Sequence, residues 1–134
     1  PFTRICCPSW ISRVACSTPT TAGNPYSRAI TAPWVITPPT SAGALKGITQ
    51  DSVRRTAADH GLEYRVEHLL RSDLYTADEA FLSGTAAEIV PIRSVDDREL
   101  GDPGPVTRQI QETYFTAVRG EDDRYKDWLT YVDE

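Results

Sequence analysis

Phe81-Leu-Ser-Gly-Thr-Ala-Ala-Glu-Ile-Val-Pro-Ile-Arg93 decides how the rest of the chain is read. An apolar run stops at Ser83-Gly-Thr-Ala-Ala87, where no side chain is larger than that of threonine, and resumes as Ile89-Val-Pro-Ile92. Short apolar runs bounded by small residues read as buried strands, and the small residues let backbone approach backbone or a ligand closely. Gly84 permits dihedrals that other residues avoid, and successive N–H groups in such a turn form a concave set of donors for an anion. A plain tight turn between two buried strands would use the same residues. The rest of the chain has to separate the two readings.

Upstream of that stretch, Trp34-Val-Ile-Thr37 reads as a short strand stopped by Pro38-Pro39. Thr40–Leu45 is small and turn-like and leads into Lys46-Gly-Ile-Thr49. Thr49 suits a helix N-cap, Asp51 favours the first turn, and the helix is expected to run to about His60 with Gly61 ending it. Leu62-Glu-Tyr-Arg-Val-Glu67 alternates, with Leu62, Tyr64 and Val66 on one side, as a half-buried strand does. A helical turn at Arg71–Tyr75 precedes the central stretch. Downstream, Asp96-Asp97 marks a turn, and Pro105 fits the first position of a helix bearing Val106, Ile110, Tyr114 and Val118 every four residues. Gly120 closes that helix, and a last short piece carries Trp128. Helices alternating with strands predict an α+β or α/β domain, although these strands do not visibly complete a sheet.

Composition limits the partners. The 134 residues suffice for one domain, and no apolar run approaches the length of a membrane span. Residues 1–50 carry four basic and no acidic residues, whereas residues 51–134 carry ten basic and all nineteen acidic ones. The net charge of −5 argues against nucleic acid as the main partner. Cys6, Cys7 and Cys16 fit neither a disulfide framework nor a zinc site, which favours free thiols and a cytoplasmic location. His60 and His68 lack a ligand motif, so no metal is expected.

Residues 1–32 differ in kind from the rest. Pro, Ser, Thr, Arg and Cys supply 19 of them, while Asp, Glu and Lys are absent, and no period runs through Ile5, Trp10, Ile11, Val14, Tyr26 and Ile30. We expect an irregular segment, read out of frame and joined to the remainder near Trp34. Residues 33–134 would then form the domain proper. The start at Pro1 and the lack of methionine point to a fragment.

Gly47-Ile48-Thr49 is a second anion candidate, because the first N–H groups of a helix have no partners within it and the dipole favours negative charge there. Most threonines at helix starts simply cap. In combination the motifs are more specific. Thr37-Pro-Pro-Thr40, Leu45-Lys-Gly-Ile-Thr-Gln-Asp51, Asp73-Leu-Tyr75, Ala77-Asp-Glu-Ala80, Phe81–Arg93, Ser94-Val-Asp96, Gly104-Pro-Val-Thr107 and Gln111-Glu-Thr-Tyr-Phe115 follow one another in order. From about residue 36 to 133 this resembles the C-terminal part of the branched-chain amino acid aminotransferases, in the class IV, fold-type IV family of pyridoxal-phosphate enzymes.

The resemblance implies part of the large C-terminal domain of the fold-type IV (D-amino-acid aminotransferase-like) fold, pyridoxal 5'-phosphate as cofactor, and branched-chain amino acids and 2-oxo acids as substrates. It also implies a homo-oligomer in full-length form. Leu45 would pack on the cofactor's pyridine ring, and Gly47, Ile48 and Thr49 would hold its phosphate, with the Thr85 hydroxyl added. Thr85 and Ala86 N–H groups would receive the substrate carboxylate, and Ala86 and Ala87 would leave room for an aliphatic side chain. The family's cofactor-linking lysine, a phosphate-binding arginine and the glutamate facing the pyridine nitrogen lie upstream of the matched region. Lys46 and Lys126 are the only lysines, and neither stands in that lysine's place. Gln50 replaces a common arginine, which softens the phosphate site. No catalytic residue is therefore assigned, and the chain is expected to be inactive alone. The alternatives are a D-amino-acid transaminase, an aminodeoxychorismate lyase, or a non-catalytic remnant; Gly84–Glu88 favours the branched-chain reading.

Overall fold

The computed structural model describes the backbone of residues 12–17 and, with side chains, residues 34–132. Five strands form one sheet: β1 (Ser12–Ser17), β2 (Trp34–Thr37), β3 (Glu63–Val66), β4 (Glu79–Gly84) and β5 (Glu88–Pro91), in the spatial order β3-β2-β1-β4-β5. A hairpin of β6 (Ser94–Val95) and β7 (Arg98–Glu99) follows. The helices are α1 (Ile48–Asp59), α2 (Arg71–Tyr75) and α3 (Pro105–Val118), with 3-10 turns at Thr40–Ala42 and Asp123–Trp128.

The central stretch folds into antiparallel strands β4 and β5 joined at residues 85–87; β4 is buried as expected, but β5 is an edge strand in which only Ile89 is buried. The stretch's special dihedral lies elsewhere, however: Glu88 takes the left-handed conformation (φ 56°), and Gly84 does not. Three-residue hairpin loops commonly place such a residue at their end. The alternation in Leu62–Glu67 holds for buried Leu62 and half-buried Tyr64, but Val66 is exposed, because β3 ends there at the edge of the sheet.

Ser12–Ser17 corrects one expectation. Six residues inside the segment read as irregular form a regular strand, paired antiparallel to β2 on one side and β4 on the other. That pairing joins the strands into the sheet that the local pattern did not show. Its partners lie about 20 and 70 residues along the chain, so no local period could reveal it. The rest of residues 1–32, with the cysteines Cys6 and Cys7, lies outside the described residues.

One core holds the layers together. Val35, Phe81 and Ile89 from the sheet pack with Val53 and Ala57 of α1, Val106 and Ile110 of α3, and Leu62, flanked by Tyr64 and Tyr114. The four-residue spacing in α3 is the cause on that helix, since it sets Val106 and Ile110 on one stripe. Val118 at the end of the same series is exposed.

The 3-10 turn at Asp123–Trp128 docks on the end of α1. Buried Tyr125 donates to Asp59 Oδ2 at 2.5 Å and packs against Trp128 with ring centroids 4.5 Å apart, and Arg55 lies over the Trp128 ring at 5.7 Å. Burial first, then the Asp59 carboxylate, pushes the Tyr125 phenol up to about 12 from 10.0. A raised phenol value means that this contribution is complete below pH 10 and is lost as pH climbs through 12. Tyr125→Phe should cost about 1 kcal/mol at neutral pH. Urea midpoints measured at pH 8 and near pH 12 should show that difference shrinking; a constant difference would remove the hydrogen bond from the account.

Candidate functional site

Two stretches with open donors leave the same edge of the sheet. β2 and β4 are both antiparallel to β1, so they run in the same direction, and Ile36 and Ala80 lie level with each other opposite Ala15. Past its end, β2 leads through residues 38–47 into α1; past its own end, β4 leads into the 85–87 turn. Only β1 separates the two strands, which spaces them by about 10 Å, twice the usual interval.

The helix start differs from the expectation in a useful way. Gly47, with extended dihedrals (φ −92°, ψ 156°), is the N-cap, and Thr49 lies inside the first turn with its side chain buried. A threonine cap would have spent its oxygen on one of the N–H groups, whereas here no side chain caps the helix. The donors of the first turn are therefore left for another acceptor. Ile48 is 82% exposed, and Leu45 is exposed beside it. Thr85, Ala86 and Ala87 are all exposed at the hairpin tip.

Electrostatics agree with an anion at this edge. Asp51, the one acidic residue in the first turn, is gripped by Arg54 at 2.7 and 3.0 Å and by Arg55 at 3.1 Å. The Arg54 hydrogen bond, chiefly, holds its carboxyl below the ordinary range, and its charge is matched by two guanidinium groups. At the end of β4, Ser83 is only 5% exposed, yet its hydroxyl has no hydrogen-bond partner among the described residues. The residues present fit a phosphorylated, carboxylate-bearing group: backbone donors, hydroxyls and small side chains.

Of the two lysines, Lys46 adjoins this arrangement, between Leu45 and Gly47. Lys46 is exposed just before α1, and Lys126 is paired with Asp123 at 2.6 Å. His60 is structural, bridging Thr113 Oγ1 at 2.8 Å and Gln109 Nε2 at 3.0 Å. Among the described residues no cluster of three or more potential metal ligands occurs, and no helix is long and apolar enough to cross a membrane.

Sequence reasoning missed three contributors. Gln50, read only as a lost arginine, donates to Thr37 Oγ1 at 2.8 Å and so ties α1 to the end of β2. Ser83 was taken as a small turn residue. Glu79, inside a quoted motif but given no role, is buried and accepts from the N–H groups of Val106 at 3.3 Å and Thr107 at 2.8 Å. A glutamate opening an apolar strand was the available signal for the last, since a buried carboxylate needs partners.

Residues 32–95 match the class IV amino-transferase family. The relatives are more particular. The chain is 50% identical over 101 residues to a probable branched-chain-amino-acid aminotransferase of Aquifex aeolicus, covering 72% of this chain and 32% of that protein. It is 45% identical over 102 residues to the branched-chain-amino-acid aminotransferase of Escherichia coli K12, covering 75% of this chain and 33% of the other. The chain thus spans about a third of the length of the curated relatives it matches. The T.th. branched-chain amino acid aminotransferase complexed with N-(5'-phosphopyridoxyl)-L-glutamate superposes with a TM-score of 0.77 at 35% identity, over 92% of this chain and 36% of that one.

Proposed function

We propose that this chain supplies half of the active site of a pyridoxal-phosphate-dependent branched-chain amino acid transaminase, which moves an amino group between leucine, isoleucine or valine and 2-oxoglutarate. The observation that carries the reading is the pairing, at one sheet edge, of the glycine-capped start of α1 with the 85–87 hairpin tip. Gly47, Ile48 and Thr49 would hold the cofactor phosphate through open N–H groups and the Thr49 hydroxyl, with the Thr85 hydroxyl beside them. Leu45 would lie against the pyridine ring. N–H groups of Thr85 and Ala86 would fix the substrate carboxylate, and the methyl groups of Ala86 and Ala87 would bound a pocket for an aliphatic side chain. Bound pyridoxal phosphate supplies the electron sink for amino transfer.

What these residues do is bind and orient. Lys46 is exposed at the entry to α1 and Lys126 is held by Asp123, and neither stands where the family's cofactor-linking lysine would. The chain alone should therefore bind without turning over. Pyridoxamine 5'-phosphate and pyridoxamine, titrated separately into the full chain, test this. The phosphorylated compound should bind at least about tenfold more tightly, the worth of one charge-assisted hydrogen bond. Equal affinities would remove the phosphate cup. A borohydride-stable lysine adduct with amino transfer from leucine would instead overturn the half-site reading.

A further inference from the structure

We propose that Thr37 and Gln50 are positioning residues, which set the first turn of α1 against the carboxyl end of β2 and thereby aim the N–H groups of the proposed phosphate cup. This rests on the reading above for its ligand, but the clasp itself is visible in the fold. Thr37 is completely buried at the last position of β2. Its hydroxyl accepts from Gln50 Nε2 at 2.8 Å, thirteen residues on, and its carbonyl accepts from the Glu67 N–H at 3.0 Å. One residue thus joins β2, the exit of β3 and α1.

Tyr64 of β3 completes the cluster. Burial pushes its phenol up, a rise that the neighbouring Thr37 and Gln50 side chains partly offset. Gln50 is the third residue of α1, so its backbone belongs to the same uncapped turn that presents the Ile48 and Thr49 donors. This turn has no side-chain cap. A side chain that reaches back to a buried strand end supplies what the cap does not. The arginine expected at this position would contribute charge; glutamine here contributes registration.

Thr37→Val, Gln50→Ala and the double variant, with Thr37→Ser as the conservative control, separate positioning from mere stability. In the free chain, exchange at the amides of Asp51 and Ser52 should quicken about tenfold in Thr37→Val and Gln50→Ala, with the amides of α3 unchanged. Affinity for pyridoxamine 5'-phosphate should fall about tenfold in each single variant and no further in the double, because both remove one tie. Affinity for pyridoxamine should stay constant, and Thr37→Ser should behave as wild type. Uniformly faster exchange across α3, equal loss for both ligands, or additive effects in the double variant would overturn the proposal. If wild type does not favour the phosphorylated ligand but local exchange still quickens, the clasp stands and the cofactor reading fails.

Discussion

Gly104→Ala should destabilise the chain by about 3 kcal/mol, although the residue's backbone (φ −78°, ψ 179°) suits any amino acid. The cause is contact. A Cβ at this position would fall 2.0 Å from Glu79 Oε1, 2.1 Å from Cδ and 2.5 Å from Cγ. A flexible side chain could swing aside cheaply, but this carboxylate is buried and holds the N–H groups of Val106 and Thr107 at the start of α3. Moving it forfeits both bonds and leaves a charge and two helix donors without partners. The double-mutant cycle is decisive. In a Glu79→Ala background the clash is gone, and Gly104→Ala should then cost less than about 0.5 kcal/mol by urea unfolding. An equal cost in both backgrounds would show that the helix-capping contact is not the reason for the glycine.

Phe81→Ala carries the other large effect. Phe81 is completely buried in β4, where it meets side chains of the core formed by both α1 and α3. Its truncation removes apolar contact and leaves a cavity between sheet and helices, a loss of about 3–5 kcal/mol. Single domains hold only about 5–15 kcal/mol in total, so the variant should lose its cooperative thermal transition or melt far below wild type. Val90→Ala, on the partly exposed side of the adjacent strand, is the control and should stay within about 1 kcal/mol. Comparable losses at the two positions would mean that the core does not lie on the helix-covered face.

The sequence made some elements legible because their causes are local. Pro38-Pro39 after Trp34–Thr37 and Pro105 before Val106 mark a strand end and a helix start through fixed proline geometry, and both stand where expected. The four-residue period in α3 and the abrupt small-residue break at Ser83–Ala87 likewise needed no partner to be read. Resemblance then tied the break to Gly47-Ile48-Thr49 as the two parts of one proposed site. Thr49 as a cap was misread because threonine's local preference takes no account of the sheet. Here the helix begins at Gly47 and the threonine side chain is buried.

By itself, the sequence determined the helices, strands β2, β3, β4 and β5, and two stretches of residues able to offer donors to an anion. Those properties follow from side-chain size, proline and glycine geometry, and spacing within a few residues. Only the tertiary structure decided that Ser12–Ser17 fills the gap between β2 and β4, which brings both donor stretches to one edge. It also assigned Gln50 to Thr37 and Glu79 to the start of α3. Strand pairing and buried polar contacts join residues tens of positions apart. A residue's type says which partners it accepts, but only the folded chain says which one it meets.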